Sequence, residues 1–176
     1  MNDEITTIDE STNNTPKKVP NFLLVLVVLS GLYISTSLIG SVMSIFSGPL
    51  SEEALEEELA VLYTSISEVK ASGLGEQFVQ ILETVINHTI FVNNEAFYMT
   101  HLTTLITLLV GLVSIVFMLK LKKIGFHLYI LYSFLPIVFM YIITPSELIL
   151  TFSVIITVIT SALFALLYGL NLKHMK

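Results

Sequence analysis

Residues 97–119 read FYMTHLTTLITLLVGLVSIVFML, an unbroken stretch without one Asp, Glu, Lys or Arg. As an α-helix it measures about 34 Å, against a bilayer hydrocarbon core of about 30 Å. Inside hydrocarbon every backbone N–H and C=O has to be paired within a helix or a closed barrel. Barrel strands alternate in polarity over roughly ten residues. This stretch is continuously apolar and twice that long, so it predicts a membrane-spanning helix.

The same pattern recurs on both sides of it. After Lys120, Lys122 and Lys123 comes a second apolar run, 124–143, with Pro136 inside it. That proline removes one helix hydrogen bond and predicts a kink near Tyr132. Thr144-Pro145-Ser146-Glu147 combines a capping-box pattern with proline at the first helical position, which predicts the start of another span over 147–170. On the N-terminal side, residues 21–46 form a span preceded by Lys17 and Lys18. A signal peptide's apolar core is only about 7–15 residues. Here the run continues through Ile45 and Phe46, so it reads as a retained anchor. The fold class is therefore all-α: a polytopic membrane protein with a four-span helix bundle. Only 12% of residues are charged against 54% hydrophobic, which leaves little chain for a separate soluble domain.

Residues 47–96 differ in character. They hold nine glutamates against the single Lys70. Ser51 is a good N-cap, and Glu52 and Glu53 suit a helix N-terminus. Leu55, Leu59, Leu62, Ile66 and Val69 then recur at spacings of 4, 3, 4 and 3, a short heptad seam. Ser72-Gly73-Leu74-Gly75 breaks the helix, and Phe78, Val79, Ile81, Leu82, Val85, Ile86 and Ile90 give a second one a broad apolar face. The segment reads as an acidic extracytoplasmic helical hairpin between spans 1 and 2.

Lysine placement supplies the direction. Lys17, Lys18, Lys120, Lys122, Lys123, Lys173 and Lys176 all fall on one side of a four-span chain, and only Lys70 falls opposite. Positive residues near span ends mark the cytoplasmic side. The polar stretch 1–20, expected to be a disordered tail, and the tail 171–176 are then both cytoplasmic. Arginine is absent, and the Lys, Ile and Asn usage suits AT-rich coding, which points to a bacterial inner (plasma) membrane.

Small residues mark close helix contacts in membranes. Span 1 carries Ser37, Ser41, Ser44 and Gly48, with Gly40 beside them; span 2 carries Thr100, Thr104, Thr107, Gly111 and Ser114. Span 4 carries Ser153, Thr157, Ser161, Ala165 and Gly169, while span 3 has only Gly125 and Ser133 among aromatic residues. Spans 1, 2 and 4 are therefore expected to form the tight centre. Rows of the same hydroxyls can also line a polar pathway for a small solute, but they bond back to their own helix as readily, and packing is the leading reading.

Chemistry is bounded chiefly by absences from the sequence. There is no cysteine for thiol catalysis, thiolate metal binding or disulfides. No Asp, Glu, Lys or Arg sits in mid-span, where proton relays and ion paths need a charge. Small multidrug exporters carry a carboxylate in their first helix, which is missing here, and the outer loops of claudins and tetraspanins depend on cysteines. Glu52, Glu53, Glu56, Glu57 and Glu58 match no calcium-loop spacing and read as a solvated helix start. His88, Glu95 and His101 form the one candidate titratable site. No catalytic, cofactor or metal set is expected, and no nucleic-acid partner. The leading expectation is a non-enzymatic structural or accessory protein. Its partners are the lipid bilayer and either itself, as a homo-oligomer, or a larger membrane-protein complex, met through the Leu55–Val69 seam. The alternative is a small solute channel or carrier lined by the stripes of Ser37, Ser44, Thr104, Thr107, Gly111, Ser114, Ser153, Thr157 and Ser161.

Overall fold

A computed structural model of the chain describes residues 18–73 and 75–176; most of the stretch 1–20 read above as a tail lies outside them. The described residues form helices and no strand: α1 (Asn21–Ser47), α2 (Glu52–Ser72), α3 (Glu76–Asn94), α4 (Phe97–Leu119), α5 (Lys123–Ile143) and α6 (Thr151–Gly169). Short 3₁₀ turns cover Ser146–Leu148 and Leu172–His174. α1, α4, α5 and the α6 segment are long and apolar enough to cross a membrane.

Local chemistry explains where these helices stop and start. α1 ends at Gly48, whose φ of +76° would strain any residue with a side chain. Ser51 Oγ then accepts the Ala54 N–H at 3.3 Å and caps α2. Between the two, buried Asn93 of α3 grips the linker. Its Oδ1 accepts the Leu50 N–H at 2.8 Å and its Nδ2 donates to the Leu50 carbonyl at 3.1 Å. α2 ends at left-handed Gly73, and α3 returns along it. Leu55, Leu59 and Ile66 bury against Val79 and Ile86, flanked by Leu62, Val69, Leu82 and Ile90. Each such buried side chain contributes roughly 1.5–3 kcal/mol of transfer free energy, which outweighs the exposed Lys70–Glu83 pair at 3.4 Å.

α4 occupies the centre of the apolar helices. It lies closest to α5 and next to α1, while α6 leans on α5 and reaches α1 at few points. A third of the α4 span, 33%, is buried, against 6% for the last span. The expected centre of spans 1, 2 and 4 is thus corrected: the fourth is the outlier, and the third lies directly on the second. α5 needs only one narrow face to do this, since Gly125, Tyr129 and Ser133 are all buried at four-residue spacing. A Cβ on Gly125 would stand 2.6 Å from Met118 N and 2.8 Å from Ser114 O, so the two backbones touch there. Ser114 Oγ completes the junction by donating to the Gly125 carbonyl at 2.8 Å.

Two further expectations are corrected. The span expected over 147–170 starts its α-helix only at Thr151. Leu148 N and Ile149 N donate three residues back, to Pro145 O and Ser146 O, so the turn tightens to 3₁₀. Ser146 Oγ donates to Glu147 Oε2 instead of joining a cap, and the turn rests against α3, so a tertiary contact overrides the local start signal. The segment 171–176 is not a free tail either. Lys176 N donates to Leu121 O at 2.7 Å, Lys123 N donates to Lys176 O at 2.8 Å, and Met175 is buried in the core. α5 remains one helix through Pro136, so the removed hydrogen bond does not divide it.

Candidate functional site

Packing quality changes along the apolar helices. At the lysine-bearing end Leu23, Leu26, Val27, Ile115, Met118, Leu121, Tyr168 and Met175 form a continuous core. Midway, the Tyr132 ring lies over Gly111, where a Cβ would stand 2.7 Å from it. Two adjoining cavities along α5 meet at that ring, one beyond it toward α3 and the other beside α1 and α6, reaching back to Tyr129 and Phe164.

The first cavity has a volume of about 520 Å³. Its walls are Leu29, Ser30 and Tyr33 of α1, Tyr129, Tyr132, Ser133 and Pro136 of α5, and Ile156, Thr157, Thr160, Ser161 and Phe164 of α6. The second, about 320 Å³, lies between Thr100, Thr103, Thr104, Thr107 and Leu108 of α4 and the far half of α5, from Pro136 to Thr144. His88 and Val92 of α3 roof it, and Tyr33, Tyr132 and Pro136 border both cavities. The short threonine side chains of α4 leave this volume unfilled. A larger residue at their positions would occupy it.

The electrostatic character of the lining follows from its hydrogen bonds. Thr107 Oγ1 donates to Thr103 O at 2.8 Å, Thr103 Oγ1 to Met99 O at 2.8 Å, Thr157 Oγ1 to Ser153 O at 2.8 Å, and Ser133 Oγ to Tyr129 O at 2.9 Å. Each hydroxyl has one proton and two lone pairs, so with the proton given to the helix the oxygen remains an acceptor. The lining contains no Asp, Glu, Lys or Arg. Burial lowers the pKa of His88 below its ordinary value, which favours the neutral imidazole. A charged ligand would therefore lose its hydration without an opposite charge to replace it.

The residues singled out in the sequence divide into several groups. Thr104, Thr107, Thr157 and Ser161 line the cavities, and Ser161 Oγ also reaches Ser133 O at 3.5 Å. Gly111 and Ser114 serve packing. Ser37 and Ser44 are half-buried along α1, and their neighbour Ser41 donates to the His101 carbonyl at 3.2 Å. Ser153 is exposed on α6. Leu55, Leu59, Leu62, Ile66 and Val69 turn toward α3, so their apolar surface is used within the chain. His88, Glu95 and His101 are given separate roles. His88 roofs a cavity, Glu95 ends α3 in solvent, and the His101 ring sits 4.5 Å from that of Phe97. Among the described residues no three His, Asp or Glu side chains gather as a metal set.

Sequence reasoning missed the tyrosines. Tyr33 and Tyr132 divide the groove, and fully buried Tyr168 donates to Ser30 Oγ at 2.9 Å with its ring 4.5 Å from Tyr129. The available signal was depth: Tyr33 and Tyr132 stand midway along their helices, away from the interfaces where membrane tyrosines usually collect. No protein-family model matches this chain, nor does any curated protein or solved structure.

Proposed function

We propose that the protein is a four-span membrane carrier that binds a small uncharged solute between its apolar helices. In this reading both termini and the lysine-bearing end face the cytoplasm of a bacterial cell, and the acidic α2–α3 hairpin stands outside. The observation that carries it is the threonine- and tyrosine-lined groove, which between α4 and α5 is hollow toward α3 and closed by tight packing toward the lysines. An open channel would need continuity through the Gly111–Tyr132 and Ser114–Gly125 contacts. A binding site closed on one side suits alternating access instead. Volumes of about 320 and 520 Å³ fall in the range of small-molecule sites. The hydroxyl oxygens of Thr103, Thr107, Ser133 and Thr157, whose protons are given to their own helices, favour a ligand that donates hydrogen bonds.

Uptake of neutral polyols, alcohols and amides into proteoliposomes tests the proposal. Saturable uptake should weaken by about tenfold in Thr107→Val with Thr157→Val, equivalent to roughly 1.4 kcal/mol of lost binding. Uptake that rises linearly with concentration and ignores both substitutions contradicts it.

A second reading, association with itself or a larger complex, has one specific observation behind it. Val61, Tyr63, Phe78 and Ile81 on the hairpin are exposed although they lie outside the apolar helices. Val61→Asp with Phe78→Asp should then abolish cross-linked oligomers in membranes, and an unchanged ladder removes this reading.

A further inference from the structure

Pro136 leaves one backbone acceptor unused among the apolar helices. In an α-helix the Tyr132 carbonyl accepts from the N–H of residue 136, and proline has none. α5 stays helical on both sides of this turn, so the carbonyl keeps its direction along the helix toward Pro136. A bare carbonyl in hydrocarbon is costly, and in membrane helices a nearby hydroxyl often takes the place of the missing donor. Here the hydroxyls beside the turn donate elsewhere. Ser133 Oγ donates to Tyr129 O at 2.9 Å, and Ser161 Oγ, arriving from α6, reaches Ser133 O at 3.5 Å. Thr157 Oγ1 donates within α6, to Ser153 O. Among the described residues no side chain donates to Tyr132 O.

The place of this acceptor gives it a use. Tyr132 and Pro136, the two residues it lies between, border both cavities. A molecule in either one therefore meets this stretch of α5. Other wall oxygens are acceptors of the same kind: those of Thr103 and Thr107 on the α4 side, and those of Ser133 and Thr157 on the α6 side. Meeting several of them takes donors spread along the ligand. A polyol carries one on each carbon, whereas an amide gathers its N–H groups on one nitrogen. Resting on the carrier reading above, we infer that the ligand is a neutral polyol and that the Tyr132 carbonyl is its central anchor. One hydroxyl of the ligand donates to Tyr132 O in place of the missing N–H, and the others donate to the wall oxygens. A solute with neither O–H nor N–H leaves the carbonyl bare and is not held.

Tyrosine labelled with heavy isotopes at its carbonyl, inserted at position 132 alone by a suppressor tRNA, gives this carbonyl an infrared band of its own. Glycerol, the probe, has no carbonyl to overlap it. In proteoliposomes of the otherwise unaltered protein the band should move saturably to lower wavenumber as glycerol is added. Pro136→Ala restores the N–H. Its band should already lie low and ignore glycerol, and the half-saturating glycerol concentration for uptake should rise about tenfold. Because Pro136→Ala also removes the ring, a second form of it carries an ester in place of the amide between Leu135 and residue 136. That form has neither ring nor N–H. Affinity regained in the ester form assigns the effect to the carbonyl. An ester form as weak as Pro136→Ala assigns it to the ring and overturns the inference. Saturable glycerol uptake with the labelled band unmoved also overturns it, and so does saturable uptake of alcohols or amides without glycerol. In these cases the carrier reading stands. Uptake that is linear for polyols, alcohols and amides alike removes both.

Discussion

At the lysine-bearing end, Ser114 and Gly125 bring α4 and α5 into backbone contact; at the α3 end of the same helix pair, Thr103, Thr104 and Thr107 leave a cavity. Both ends are built from small or hydroxylated residues. The difference lies in what faces them. Gly125 meets the Met118 backbone, with no side chain to hold the helices apart. The threonines instead face the stretch of α5 beyond Pro136 and the underside of α3, which do not fill the space. Small residues therefore seal a helix contact only where the partner backbone comes within reach; elsewhere they make a hollow. Whether such a stripe packs or lines a pathway is decided by the partner helix and is absent from the stripe itself.

The comparison is broken most severely at its sealed end. Gly125→Ala places a methyl group against backbone that cannot swing aside, and it should cost about 3 kcal/mol, at the upper end for overpacking. Thermal unfolding in detergent measures it, and an unchanged midpoint would mean that α4 and α5 are not in contact at this point. Asn93→Ala comes next. It leaves the Leu50 N–H and carbonyl without their partner and should destabilise by about 2 kcal/mol, read from the same melt and from faster proteolysis of the α1–α2 linker.

Gly111→Ala sharpens the contrast because it sits at the boundary. Its methyl group meets the Tyr132 ring, which can turn aside into the cavity, so about 1 kcal/mol is expected, well below the cost at Gly125. Equal costs at the two glycines would show that the boundary is as rigid as the seal. The smallest effect is at the roof. His88 has a folded-state pKa below its unfolded value because burial disfavours the cation. The unfolded chain thus takes up the proton first. Stability is intact above about pH 6.5, the ordinary histidine value, and declines as pH falls through and below it. The midpoint should drift downward over that window in the unaltered protein and less in His88→Asn.

Much of the fold was legible in the sequence for simple reasons. Uncharged runs of the length of 97–119 leave few alternatives to a helix that crosses a membrane, and the Leu55–Val69 spacing requires an apolar partner, which α3 supplies. The Ser51 cap was readable because it needs only its own next turn. What was not legible depended on distant neighbours. Thr144–Glu147 carries a good local start signal that contact with α3 turns into a 3₁₀ turn. Gly125 and Ser133 looked too few to anchor α5, yet with Tyr129 between them they occupy its one buried face. Of the candidate site, Thr104, Thr107, Thr157 and Ser161 could be named from their stripes. The tyrosines that border the groove could not, because an apolar run does not reveal which of its aromatic residues face inward.

The central claim is that the α4–α5 pair is hollow toward α3 and sealed toward the lysines. The chain's lack of cysteine makes this directly measurable, since any single introduced cysteine is the only thiol. Thr104→Cys, Thr107→Cys and Ser114→Cys would each be treated in proteoliposomes with a small, membrane-impermeant thiol reagent, applied separately from each side. The account predicts modification at 104 and 107 from one side alone, and none at 114 from either. Modification at 114 comparable to that at 107, or silence at both threonine positions, would contradict it.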